Sequence, residues 1–427
     1  MKQRNYGFLA GPAIGTLLAT ALVLASCGGG GTDTTGQSPT GNAPNVTPPA
    51  VAQALKNDTP VDPAIVSADN AFGLRLLDTL LPAGNGGNVA ISPLSVALAL
   101  QVLYNGAAGT TQQAMAQTLD LGALSRGTLN TDNAALQAAL MSADPAVQLV
   151  IANSLWLNHG SGTVSVSFTN ADQTYYGATV GDLAGAPDNV NAWVDAETQG
   201  LITQLMPPGM YQHAIIADVL YFKGQWTTPF NPDSTAARPF TLSGGSQTTA
   251  QLMQQTGSFA YGSGTLYGTN YQAIRLPYGQ NRFNMLIILP EASANVTSFV
   301  GSITVNDLNS IEAQLEPAMV ALGLPRFTAS YGTSLVPALQ SLGMGIAFVP
   351  SADFSALTPG FWVNTVEHKT VVEVDETGTV AAGATGIATV TTVPLTYPMV
   401  MNHPFFYAIE DGRTGALLFA GVLMNPN

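Results

Sequence analysis

One cysteine, four histidines and twelve basic residues are all that 427 positions hold of the side chains that usually carry redox, metal and phosphate chemistry. With Cys27 alone there is no intramolecular disulfide, no paired-cysteine redox motif and no cysteine-based zinc cluster. His159, His213, His368 and His403 nowhere stand at metal-ligand spacing, so no metal is expected. The basic residues lie singly against 26 acidic ones, which argues against a phosphate-tracking surface and against nucleic acid as a partner. No serine has the glycine flanks of a nucleophile elbow, and no lysine follows a glycine as a phosphate-binding loop requires. Neither an enzyme nor a bound cofactor is expected. What the chain has in quantity is apolar: 46% hydrophobic residues suffice to bury a large core.

Lys2 and Arg4 precede a mostly apolar run from Phe8 to Ala25, which leads into Leu24-Ala25-Ser26-Cys27. Residues 1–26 read as a secretory signal. A leucine, two small residues and a cysteine directly after such a run resemble a bacterial lipobox. Cys27 would then be the lipidated first residue of an exported chain anchored to a membrane or cell surface. An ordinary signal ahead of a free Cys27, giving an extracellular protein, is the other reading. A mature membrane helix is disfavoured because the run is short for a span and begins at residue 8. Residues 27–63 are Gly, Thr, Pro, Asn and Ser with hardly an apolar pair among them, and as a flexible tether they would reach roughly 30–35 Å.

The folded part is expected over 64–427. Helical spacing of apolar residues occurs over Ala64–Leu81 (Ile65, Ala68, Phe72, Leu76, Leu80), Ser92–Leu103 and Thr110–Leu119, with a Ser or Thr at the start of the last two. Later segments run apolar with β-branched and aromatic residues: Leu149–Leu157, Ile215–Phe222, Tyr271–Leu276, Asn284–Leu289, Met319–Leu324, Val371–Val374 and Leu417–Val422. Helices first, then strands without regular helical crossovers, predict an α+β domain. The stretch from Gly378 to Thr392 has no charge, no proline and no aromatic residue. It can pass into a sheet without burying a charge, and with period two Thr379, Ala381, Gly383 and Thr385 share a face. Its three glycines equally suit a flexible linker, and composition leaves both readings open.

Read in order, several motifs resemble those of the serpin family. They are Asn88–Ser95 with Asn105–Thr111, Ala152-Asn153-Ser154-Leu155-Trp156, Val190–Val194 with Thr198–Ile202, and Ala217–Trp226 with Pro229-Phe230. Leu324-Pro325-Arg326-Phe327, Ala352–Ser355, Val366–Lys369, Glu376–Thr379, His403–Phe406 and Gly421–Pro426 continue the series, so that the likeness is collinear over roughly 64–427. The resemblance implies a single, monomeric domain of about nine helices and three sheets. It also implies an exposed reactive-centre loop over 376–393, offered as bait to a protease. In that mechanism the protease is acylated at the bait bond and trapped when the cut loop inserts into the central sheet.

The resemblance also assigns positions. Gly378, Thr379, Val380, Ala381, Ala382, Gly383, Ala384 and Thr385 form the hinge, in which Val380 replaces the glutamate common there. Counting seventeen residues from Glu376, the family's usual spacing, puts the reactive bond between Thr392 and Val393. Small and β-branched residues there suit elastase-like or subtilisin-like serine proteases, with cysteine proteases as further targets, and offer nothing to a trypsin-like acidic pocket. Glu376 and Arg326 correspond to a salt-bridged pair where the sheet first opens, with Trp226 over it. Ser92, Ser95, Asp218 and His368 correspond to a polar cluster beneath the sheet centre. Asp218 stands where the family usually has Asn, so a carboxylate would face His368 and favour its protonated form, tying sheet opening to pH. A non-inhibitory serpin acting as a surface binding protein is the alternative function.

Overall fold

The computed structural model describes residues 60–158, 163–200, 202–209, 214–378 and 395–427. Residues 1–26, Cys27, nearly all of the tether, the hinge positions from Thr379 to Thr385, and Thr392-Val393 lie outside them.

Helix α1, Pro63–Leu80, begins where the Asp62 carboxylate accepts the Ala64 N–H and Pro63 fills the first helical position. In α2, Pro93–Tyr104, Ser92 caps the Ser95 N–H and every residue is buried, because the helix runs beneath a sheet. Both starts fall within a residue of the expected ones. Seven further α-helices occur among the described residues: α3 Gly109–Thr118, α4 Arg126–Met141, α5 Val166–Tyr176, α6 Asp188–Glu197, α7 Val296–Gly301, α8 Val305–Glu312 and α9 Val336–Leu339.

Strands β1 Val89–Ile91, β2 Val147–Leu157, β3 Thr179–Asp182, β4 Ala214–Gly224, β5 Ala236–Thr241, β6 Gln247–Leu266 and β7 Thr269–Pro277 precede α7. They are followed by β8 Phe283–Pro290, β9 Glu316–Pro325, β10 Phe327–Ser334, β11 Thr365–Val374, β12 Thr396–Val400, β13 Phe405–Asp411 and β14 Leu417–Leu423. All seven strand segments expected from apolar runs fall inside these. One sheet has the order β10-β11-β4-β2-β3. The other follows β1-β14-β13-β8-β7-β6-β9-β12, with β5 on β6. Two of the three sheets implied by the resemblance are thus continuous here, because the 20-residue β6 pairs with β5, β9 and β7 in turn. Strands β8, β13 and β14 are buried along their whole length, and β14 accordingly reads as an unbroken apolar run. Among the described residues no helix is long and apolar enough to cross a membrane.

The helical layer carries a buried polar chain. Gln101 Nε2 donates to Asp69 Oδ1 (2.7 Å), Asn133 Nδ2 donates to Gln101 Oε1 (2.7 Å) and to the Tyr176 hydroxyl (3.1 Å), and Tyr176 donates to Asn130 Oδ1 (2.8 Å). Asp69 Oδ2 has no partner. Burial, only partly offset by the Gln101 bond, pushes the Asp69 carboxyl up to about 7. A pKa raised above the unfolded value means stability that is present in acid and lost as pH rises through the folded value. Asp69→Asn is expected to gain stability relative to the parent protein between pH 5 and pH 8, by about 2–3 kcal/mol, in calorimetry at both pH values.

Candidate functional site

The centre of the five-stranded sheet is a parallel pair. Strands β4 and β11 are in register only from Thr365/Ile215 to His368/Asp218. Among the described residues no further register step joins them, so 219–224 and 369–374 keep their outer partners β2 and β10 but not each other. The seam closes again at its far end. There Gly378 bridges Gln225, and the Trp226 N–H donates to the Thr377 carbonyl at 3.0 Å.

That far end is made by a tight turn after β11. The Asp375 carboxylate accepts the Thr377 N–H (2.8 Å), the Thr377 hydroxyl (2.6 Å) and the Gly378 N–H (3.2 Å), folding 375–378 back on itself. Trp226 is buried, stacks on Tyr278 with ring centres 4.3 Å apart, meets Phe230 edge-on, and donates its indole N–H to the Asp375 carbonyl (2.9 Å). Gly378 has φ of 119°, and a Cβ there would lie 2.4 Å from the Trp226 nitrogen and 2.5 Å from the Gly224 oxygen. Only glycine tolerates both constraints. Gly378→Ala is expected to lose the bridge to Gln225 and about 2–3 kcal/mol of stability, read as a lowered melting temperature with a red-shifted tryptophan emission.

Glu376, predicted beside Arg326, is buried there. Its Oε1 accepts Arg326 Nη2 at 2.5 Å and the Thr235 hydroxyl at 2.6 Å, and its carbonyl accepts the Phe230 N–H at 2.7 Å. Burial pushes the carboxyl up, but the bonds from Arg326 and Thr235 and the guanidinium charge outweigh it and hold Glu376 below its ordinary 4.5. A depressed carboxyl stabilises above the unfolded value, and that stability disappears as pH falls through the folded one. Glu376→Gln is therefore expected to cost about 1–2 kcal/mol at pH 7, the lower end because half-exposed Arg326 rehydrates. Thermal melts of both proteins should converge as the pH drops below 4.5.

At the paired end of the seam, Ser95 Oγ donates to Asp218 Oδ2 (2.9 Å), which also faces His368 Nδ1 (3.0 Å). The Ser92 N–H, at the start of α2, donates to His368 Nε2 (3.2 Å). The carboxylate faces the ring as the resemblance implied. The other ring nitrogen, however, accepts a backbone N–H, which assigns the proton to Nδ1. Two participants went unassigned in the sequence. Asn153 lies in register with Asp218, buried, with both carboxamide atoms unpartnered, and Tyr278 supplies the stacking face for Trp226. Asn153 sits inside a quoted motif and is a polar residue in an apolar run, which was a usable signal.

The scaffold is thus a mixed α and β fold whose central sheet carries one short-paired parallel seam. The family model described as Serpin (serine protease inhibitor) matches residues 67–426. Serpin-ZXA of Oryza sativa subsp. japonica is 32% identical over 84% of this chain and 97% of its own. Among solved structures, the thermophilic serpin tengpin in its native state has a TM-score of 0.78 at 26% identity, over 88% of this chain and 98% of that one. Human thyroxine-binding globulin in complex with thyroxine shares the fold, with a TM-score of 0.76 at 22% identity over 85% and 98%. The chain belongs to the serpin family.

Proposed function

We propose that this protein inhibits serine proteases as a suicide substrate, with the reactive bond between Thr392 and Val393. The observation that carries this reading is the seam between β4 and β11, in register over four residues and unjoined above them. The chain leaves β11 at the top and turns back at 375–378, so a strand made from 379 onward would run down the seam antiparallel to both neighbours, the stronger pairing geometry. Its first half, Thr379 to Thr385, brings no charge, proline or bulky ring into the sheet. The target's catalytic serine attacks the bond and forms an acyl-enzyme. Release of the new amino end at Val393 then frees the loop to insert, and about sixteen residues at 3.3 Å each carry the bound protease roughly 50 Å before water deacylates it.

Thr392, Val390 and Val393 fit shallow primary pockets, which makes elastase-like and subtilisin-like enzymes the targets. The apolar run from Phe8 and the sequence Leu24-Ala25-Ser26-Cys27 support export with a lipid on Cys27, which would tether the domain through 27–63. The test mixes the protein with pancreatic elastase and, separately, with subtilisin on a denaturing gel, with mass spectrometry of the released C-terminal peptide. A band at the summed mass and a peptide beginning at Val393 are expected. Cleavage by every protease without any such band would overturn inhibition and favour a non-inhibitory binding role.

A further inference from the structure

A second site lies where the larger sheet forks. Strand β6 pairs with β7 only from Ala260/Arg275 to Leu266/Thr269, while its residues 253–259 keep β9 alone as a neighbour. The other arm of the fork, Pro277-Tyr278, pairs instead with Trp226-Thr227. Between the arms is a cavity of about 260 Å³ lined by Trp226, Phe230, Phe259, Arg275, Asn284 and, at its mouth, exposed Ser258.

Its wall chemistry is specific. Trp226, Phe230 and Phe259 give it an aromatic character, and the unpaired edge of β6 brings backbone donors and acceptors to one side. Asn284, 6% exposed, lines the cavity and offers it a carboxamide donor and acceptor. Arg275 spends Nη2 on Glu312 (2.5 Å) and Nε on Glu410 (3.1 Å), leaving Nη1 unpartnered. Glu312 and Glu410 both lie within ion-pair distance of the guanidinium, so its charge is already compensated before any ligand arrives. With two carboxyl groups against one guanidinium, the cluster offers a donor without attracting an anion.

We propose that this cavity binds a small, neutral aromatic carboxamide, its ring among Trp226, Phe230 and Phe259, its carbonyl on Arg275 Nη1 and its amide on Asn284 and the open edge of β6. A 150 Å³ apolar cavity holds a benzene, so the volume here admits one ring with a short substituent and excludes a peptide. An occupant would brace Trp226 and Phe230, whose N–H groups hold the carbonyls of 375–377, and so slow release of the loop base. That last consequence rests on the proposed inhibitory function; the binding itself does not.

The experiment titrates nicotinamide into the ¹⁵N-labelled protein and follows the indole N–H resonances, with Trp226 assigned by Trp226→Phe. The Trp226 signal should move saturably while those of Trp156 and Trp193 stay, with a Kd on the order of 1 mM for so small a ligand. Asn284→Ala should weaken binding at least ten-fold. Ser258→Trp, which plugs the mouth from the surface, should abolish it, and nicotinate, the same ring with a charge, should bind at least ten-fold more weakly. No saturable shift, or equal binding to the Ser258→Trp variant, overturns the site; nicotinate binding as well overturns the neutral class. In a parallel arm, saturating nicotinamide should slow formation of the covalent protease complex. An unchanged rate overturns the coupling, whereas absence of any complex without nicotinamide counts against inhibition and leaves the resonance data to decide the site.

Discussion

A single cut between Thr379 and Val393 is expected to raise the melting temperature of this protein by about 10–20 °C. Nicking a surface loop normally lowers stability or leaves it unchanged. Here the freed strand has two waiting edges, residues 219–224 of β4 and 369–374 of β11, which carry no register step to each other. Filling the seam joins the freed strand to both edges by backbone hydrogen bonds and buries its small side chains in the sheet, and the surplus expected after the loop is ordered is on the order of 10 kcal/mol. For a domain of this size 1 kcal/mol moves the midpoint by about 1–2 °C, which sets the estimate. Calorimetry of intact and subtilisin-cut protein decides the matter, and an unchanged or lowered midpoint would show that the seam does not accept the loop.

The second large effect concerns Ala381. On the face shared by Thr379, Gly383 and Thr385, an arginine at this position would carry an unpaired guanidinium into the sheet, at a cost of several kcal/mol. Each 1.4 kcal/mol added to the insertion barrier slows it about ten-fold, so deacylation wins the race. Ala381→Arg should be cut by elastase at the parent rate while its yield of covalent complex falls at least ten-fold, and it should lack the gain in melting temperature. Ala381→Ser should behave as the parent. Retained trapping in the arginine variant would mean that the first half of the loop does not enter the sheet.

The elements legible in the sequence were those whose burial is uniform or strictly periodic. Strand β14 is covered on both faces and apolar throughout, β8 is so from Met285 onward, and α1 repeats its apolar residues at helical spacing. Strand β6 was not legible: Gly257, Gly262, Gly264 and a run of Gln, Thr and Ser hide an element that holds its place by pairing with three partners. Helix α4 was hidden for a different reason. Its inward face presents Asn130, Asn133 and Gln137 to the buried polar chain, so the apolar stripe that would mark a helix is broken. For the site, no local pattern ties Arg326 to Glu376, fifty positions apart. Only the family resemblance joined them; Asn153 stood inside one of its motifs without a role assigned, and Tyr278 acts by stacking that no spacing encodes.

The clamp at the top of the seam has a further consequence. It grips the chain through carbonyls of residues 375, 376 and 377, the Glu376 carboxylate, and the bare Cα of Gly378. None of these contacts reads a side chain beyond residue 378. Under the proposed function, anchorage and target choice are held on separate stretches of chain, so that exchanging residues 379–394 for another bait would leave these contacts in place. The scaffold would in this sense be a reusable cartridge holder: on the proposed mechanism a new protease specificity calls for changes around Thr392, while the grip on 375–378 stays as it is.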